Sequence, residues 1–204
     1  PQTTRPYRSV DTSFSGAQTF TYDADGNALT EGQWQYAWDG ENRLIAIQTD
    51  PAVIGPIPSA DARPQEFKYD YLGRRVERLV RAGWDGTIYT TVVSQRRFLY
   101  DGWSLIPEYS VASGTLTLAR SYTWGLDIAR TLADAGGVGA LLQIADHASG
   151  KTYHPAYDGN GNLAALVNGS NGAVAAVYEY SPFGELLRAD TANRQLPADQ
   201  RQRN

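Results

Sequence analysis

Five of the chain's aromatic-x-aromatic steps, counting one weaker copy, are followed directly by an aspartate, with a glycine close behind. They are Tyr22-Asp23 with Gly26, Trp38-Asp39 with Gly40, Tyr69-Asp70 with Gly73, Tyr100-Asp101 with Gly102, and Tyr157-Asp158 with Gly161. A further aromatic, Tyr180, is followed by Ser181 and then Gly184. Paired carboxylates can act as general acid and base, so that chemistry is weighed first. Catalysis needs a unique constellation, whereas these aspartates recur. Local turn bonding accounts for them all: an aspartate opening a type I turn bonds forward to the backbone, and a glycine at the fourth position accepts the left-handed conformation of a hairpin bulge.

Other chemistry-bearing groups are sparse. Asp158-Gly159-Asn160-Gly161-Asn162 places oxygen ligands at alternate positions, as a calcium loop does. Its sixth position is Leu163 rather than glycine, and its twelfth is Gly169 rather than glutamate. Asp23, Asp25 and Asn27 fit no better. His147 and His154, the two histidines, could meet across a hairpin, but with no cysteine and no adjacent acidic pair they make a poor zinc site. The Gly136 to Gly139 cluster lacks the lysine of a phosphate loop and reads as a bend. No nucleophile elbow or serine triad is recognisable. We therefore expect no catalytic, cofactor-binding or metal-binding residue, and a chain that is not an enzyme.

The elements that hold these groups follow from the aromatic spacing. An aromatic-x-aromatic step recurs at Phe20-Thr21-Tyr22, Tyr36-Ala37-Trp38, Phe67-Lys68-Tyr69, Phe98-Leu99-Tyr100, Tyr122-Thr123-Trp124 and Tyr178-Glu179-Tyr180, with a weaker copy at Pro155-Ala156-Tyr157. A spacing of two puts both rings on one face of a strand, so each pair is expected to form a core ridge. Apolar strands leave the turns, as in Leu44-Ile45-Ala46-Ile47 and Leu163-Ala164-Ala165-Leu166-Val167. Each unit reads as a β-hairpin that cannot bury its own face and must lie beside its neighbours. The predicted fold is all-β: tandem antiparallel β-hairpins forming a curved, open segment of sheet.

Composition bounds the rest. Eighteen basic against twenty-two acidic residues in 204 give a net charge of −4, with no basic stripe, so no nucleic-acid footprint is expected. No apolar run is long enough for a membrane-spanning helix. Methionine is absent even at position 1, which suggests a processed or partial chain. Residues 1–16 read as a lead-in, 17–189 as the repeat sheet and 190–204 as a polar tail. The sheet is broken by a proline-rich loop at about 50–64 and a glycine-rich bend at about 134–139.

These units resemble the YD-repeat, or RHS-repeat, family. The resemblance rests on Tyr22-Asp23-Ala24-Asp25-Gly26-Asn27, Tyr69-Asp70-Tyr71-Leu72-Gly73-Arg74, Tyr100-Asp101-Gly102-Trp103 and Tyr157-Asp158-Gly159-Asn160-Gly161-Asn162. Ser121 to Asp127, Gly136 to Leu142 and Tyr178 to Glu185 look like the approach to the family's RHS-associated core. The resemblance implies a strip of strands that forms part of a hollow shell and encloses or presents another polypeptide. The implied partners are flanking repeats of the same protein and a C-terminal toxin cargo, and the implied location is secreted or cell-surface, within a longer bacterial protein. No cleavage residues carry over, and Gly125 and Ser181 stand where two units would have the usual aspartate. A second reading is a cell-surface adhesion or carbohydrate-binding module that uses exposed aromatics, such as Trp84 and Trp103, to recognise a glycan or protein receptor.

Overall fold

The computed structural model describes residues 20–49, 63–84, 88–132 and 134–191. Among them the regular elements are all strands. The first seven are β1 (Phe20–Tyr22), β2 (Ala28–Glu31), β3 (Trp34–Trp38), β4 (Leu44–Thr49), β5 (Gln65–Tyr69), β6 (Arg75–Trp84) and β7 (Tyr89–Asp101). The second seven are β8 (Ser104–Ala112), β9 (Thr115–Trp124), β10 (Leu141–Asp146), β11 (Lys151–Tyr157), β12 (Leu163–Asn168), β13 (Val174–Tyr180) and β14 (Leu186–Thr191). They are hydrogen-bonded in chain order as one 14-stranded sheet, without a crossover. The expected all-β, antiparallel, open sheet is what the chain forms. The lead-in at 1–16, most of the proline-rich loop at 50–64, and the tail beyond 191 lie outside the described residues.

The chain divides into two compact units. One comprises Pro1–Phe67 with Val80–Val93, the other Lys68–Leu79 with Ser94–Asn204. Within the first, β1 to β4 pair as successive hairpins. Within the second, β8 to β14 do the same.

The ladder register repeats from unit to unit. Tyr22 pairs with Ala28, Trp38 with Leu44, Tyr157 with Leu163 and Tyr180 with Leu186, and in each case the register shifts at the aromatic itself. A bulge at the last ring leaves the following residue free to open a turn rather than continue the ladder.

Burial differs from the expected core ridges. Only Phe67 and Phe98 among the paired rings are buried, while Phe20 and Tyr22 are exposed. The other buried apolar side chains among the described residues are small: Pro64, Ala119, Ala140 and Ala176. A ring on a sheet face is buried only when another layer covers that face, and no second layer occurs among the described residues. The alternation was legible, whereas a covering layer is not something it encodes.

Candidate functional site

The feature that recurs with the sequence motif is a five-residue loop built around one side-chain oxygen. At Asp70 the backbone N–H donates to the Arg74 carbonyl at 3.0 Å, and the Gly73 N–H donates to the Asp70 carbonyl at 3.0 Å. The Asp70 Oδ1 accepts the Leu72 N–H at 2.9 Å and the Arg74 N–H at 3.0 Å, and its Oδ2 accepts from Arg74 Nε at 2.7 Å. Gly73, at φ 79°, occupies the left-handed region that an L side chain avoids. The N–H groups of Asp70, Leu72, Gly73 and Arg74, which the turn takes out of the ladder, are thereby matched.

The same bonds recur at Asp23, where Asn27 supplies the fifth residue and Gly26 the left-handed one. They recur again at Asp158 with Asn162 and Gly161. Both carboxylate oxygens of Asp158, weighed above as calcium ligands, are thus engaged in closing their own turn. At Asp39 the loop closes on Arg43, but the left-handed residue is Asn42 at φ 58°. Gly40, expected to close that turn, is not left-handed; asparagine tolerates this conformation better than other L residues. At Ser181 the hydroxyl takes the carboxylate's place, accepting from Phe183 at 3.3 Å and Glu185 at 3.1 Å, with Gly184 left-handed.

Asp101 departs from the pattern. It stays in the ladder opposite Ser104, and Gly102 and Trp103 alone form the hairpin tip. A two-residue tip has no fifth N–H to bond, so the Asp101 carboxylate does not build the loop expected of it. Gly102, at φ 55°, still supplies the left-handed turn residue.

One loop of this kind escaped the sequence reading. Asp127, three residues beyond Trp124, accepts the Ala129 N–H at 3.0 Å, the Thr131 N–H at 3.2 Å and the Thr131 hydroxyl at 3.2 Å on Oδ1. Its Oδ2 accepts the Ala135 N–H at 2.6 Å, tying the turn to the start of the glycine-rich bend. Arg130, at φ 62°, stands in the left-handed position with no glycine. Asp127 is only 5% exposed.

In four of the units the second ring carries a polar tip that reaches the preceding unit. Trp38 Nε1 donates to the Ala28 carbonyl at 2.7 Å, and Ala28 is the residue paired with Tyr22. Tyr100 donates its hydroxyl to the Arg75 carbonyl at 3.0 Å. Trp124 Nε1 reaches the Leu105 carbonyl at 2.7 Å, and Leu105 is paired with Tyr100. Tyr157 reaches the Leu141 carbonyl at 2.7 Å, and Leu141 is paired with Trp124. Tyrosine and tryptophan combine apolar area with a donor at the ring's end, which explains their use over phenylalanine at this position. The turns also touch in sequence: Asn27 Nδ2 donates to Asn42 Oδ1 at 2.8 Å, and Arg74 Nη1 donates to the Gly102 carbonyl. Of the remaining motif rings, Tyr69 and Tyr180 are half-buried.

Two buried glutamates were also missed. Glu77 is 7% exposed and bonds Lys68 Nζ at 2.8 Å, Arg97 Nε at 2.8 Å and Gln95 Nε2 at 3.1 Å. Burial pushes its pKa up, but the Lys68, Arg97 and Gln95 bonds outweigh that and hold it below the usual range. Glu108 is likewise buried, with Arg96 and Arg120 each at 3.6 Å and the Tyr122 hydroxyl at 3.1 Å. The histidines go to separate partners: His147 Nε2 lies 2.9 Å from Ser121 Oγ, and His154 Nδ1 lies 3.2 Å from the Leu142 carbonyl.

The turn carboxylates titrate below their ordinary range. In Asp23 and Asp158 the leading cause is the side-chain bond from Asn27 and Asn162 respectively. In Asp39, Asp70 and Asp127 burial is the largest single influence and acts upward, but the turn hydrogen bonds together outweigh it. A carboxylate whose folded pKa is depressed contributes stability above its unfolded pKa and loses it as pH falls through the folded one. Stability is therefore expected to hold as pH is lowered to about 5 and then to fall below about 4, where unfolded aspartate protonates. Thermal melts across an acid series check this.

The tryptophans divide. Trp103 is 72% exposed and stands at a cleft of about 840 Å³ that Trp124 and Leu132 also line. Trp34, Trp38, Trp84 and Trp124 are half-buried.

No family model matches the chain. Among curated proteins it is 26% identical over 176 residues to the tRNA3(Ser)-specific nuclease WapA of Bacillus spizizenii. It is 25% identical over 176 residues to the tRNA nuclease WapA of Bacillus subtilis. Both alignments span 86% of this chain but only 6% of the relative. Among solved structures it is similar to TcdB2-TccC3, with a TM-score of 0.49 and 12% identity over 84% of this chain and 8% of that one. It is also similar to the TcdB2-TccC3-Cdc42 structure, with a TM-score of 0.42 and 18% identity over 87% of this chain and 10% of that one. The expectation that the chain is not an enzyme is overturned by the curated relatives: these bacterial proteins are named as nucleases that act on tRNA.

Proposed function

We propose that this chain is a section of the sheet wall of a YD-repeat (RHS) protein. The wall is a scaffold that encloses or presents another polypeptide, such as a C-terminal toxin domain. By analogy with the curated relatives, the longer bacterial polypeptide is a nuclease acting on tRNA and is secreted or held at the cell surface. The wall's contribution is to hold and deliver the part of the polypeptide that it covers. The repeat turns at Asp23, Asp39, Asp70, Asp158 and Ser181, together with the ring-to-carbonyl bonds, set the order of the units along the wall.

The observation that carries this reading is the apolar surface left without cover. Phe183 is 98% exposed, Tyr71 87% and Leu132 76%, and no large side chain among the described residues is fully buried. A single exposed apolar side chain is ordinary, but a sheet that exposes so many large ones and buries so few is covered by something that packs on it. Flanking repeats and an enclosed polypeptide are the partners that would cover them. The experiment is hydroxyl-radical footprinting of these side chains in the full-length polypeptide and in the isolated chain, with several-fold lower labelling expected in the former.

A second reading, adhesion to a surface receptor, is favoured by one feature, the exposed Trp103 beside its cleft. Loss of binding to whole target cells on Trp103→Ala, with the footprint unchanged, would support it over the scaffold.

A further inference from the structure

The first unit contains a cleft of about 540 Å³ formed by the ends of β4 and β5 and by residues of β6 and β7. Thr49, Tyr89, Trp84, Gln48, Glu66 and Arg81 line it. Two of its hydroxyls are unusual. Thr49 is 2% exposed, and among the described residues neither its Oγ1 nor the Tyr89 hydroxyl finds a hydrogen-bond partner. A buried hydroxyl without a partner destabilises the fold, so two lining one cleft point to a ligand that would satisfy them.

The rest of the lining narrows what that is. Trp84 and Tyr89 face each other as a tilted pair, with ring centroids 4.9 Å apart and planes at 52°, and provide an apolar wall. Arg81 is the one cation among the described lining residues, and its Nε is bonded to Glu66 Oε1 at 2.7 Å. The pair carries no net charge, so the cleft offers a phosphate or carboxylate no unopposed cation. Gln48 adds a planar amide whose Nε2 donates to Gln35 Oε1 at 3.1 Å and whose carbonyl is an acceptor. Hydroxyl partners, an aromatic wall and neutral planar polar groups together match a ligand with hydroxyls on its edge and C–H groups on its face.

We propose that this cleft binds a neutral saccharide. Its hydroxyls bond Thr49 Oγ1 and the Tyr89 hydroxyl, and its ring lies against Trp84. Because the two hydroxyls have almost no surface of their own, entry displaces the Trp84–Tyr89 pair, and the indole environment changes with it. The site uses different residues from the Trp103 cleft and does not depend on the scaffold reading.

The test titrates the 204-residue chain with cellotriose, maltotriose and the trimer of N-acetylglucosamine, and with glycerol phosphate as the anionic control, by calorimetry and tryptophan fluorescence. Saturable binding of at least one trisaccharide is expected, with a fluorescence change that Trp84→Phe removes. Thr49→Val and Tyr89→Phe should each weaken binding by about tenfold, the loss of a hydrogen bond that the site is built to make. Without sugar, Thr49→Val should melt no lower than the parent, since it removes an unmatched hydroxyl. The proposal is overturned if none of the three sugars binds at about 10 mM, well above a millimolar dissociation constant. It is equally overturned if both hydroxyl variants bind as the parent does, if glycerol phosphate binds as well as the sugars, or if Thr49→Val alone lowers the melting temperature, which would mean that water already satisfies the hydroxyl.

Discussion

Replacing Asp127 by alanine is expected to lower the melting temperature by on the order of 10 °C, the largest loss for any single turn carboxylate. The reason is the number and type of groups left behind. Asp127 satisfies three backbone N–H groups and one hydroxyl, at Ala129, Thr131 and Ala135, in a loop where the carboxylate itself is nearly inaccessible. Alanine leaves these donors without a partner, and the loop has no glycine to relax into, because Arg130 already holds the left-handed position. Asparagine keeps one acceptor oxygen and should recover part of the loss. Asp23→Ala, in a turn whose carboxylate is more accessible, should cost much less. Thermal melts of the three variants rank the effects, and equal losses at Asp23 and Asp127 would contradict the argument.

The second large effect is expected at Gly161, where Gly161→Ala should destabilise by roughly 3 kcal/mol from two sources. At φ 81° a left-handed L residue is unfavourable by about 1–2 kcal/mol. The added Cβ would also lie 2.6 Å from Val138 Cγ1, where the glycine-rich bend packs on the Asp158 turn. Gly150, also left-handed at φ 67°, has nothing within 4 Å of such a Cβ. Gly150→Ala therefore reports the backbone penalty alone, and the difference between the two variants reports the clash. Trimming Val138 to alanine should restore part of the stability of Gly161→Ala, a coupling that denaturant titrations of the four-variant cycle measure.

How far the structure was legible depends on whether a feature is local. The turns at Asp23, Asp70 and Asp158 could be read because ring, acid and glycine sit at fixed short offsets and the chemistry lies within five residues. Asp127 could not, because its aromatic stands three residues away and arginine fills the position that glycine usually marks. Asn42 likewise hides behind Gly40, which looks like the turn glycine but is not. A signal for both was available: a small or hydrogen-bonding residue four places after an aspartate, as in Asp39 to Arg43 and Asp127 to Thr131.

Features that depend on pairing were out of reach. The Glu77 and Glu108 clusters join residues from neighbouring strands, and nothing in either strand alone says which cations will face them. The ring-to-carbonyl bonds required the register between hairpins, although the preference for tyrosine and tryptophan at the second ring already hinted at a donor. Burial was misjudged for a different reason. Two-residue spacing says which face a ring is on, but whether that face is covered depends on the rest of the polypeptide.

The scaffold reading requires cover over the apolar side chains that the sheet and its turns leave exposed. Hydroxyl-radical footprinting of the full-length polypeptide against the isolated chain tests it residue by residue. The account predicts several-fold lower labelling at Phe183, Tyr71, Leu132 and Trp103 in the full-length protein, with Trp38 and Tyr157, already bonded within the sheet, little changed. Equal labelling of the four exposed side chains in both forms would contradict it.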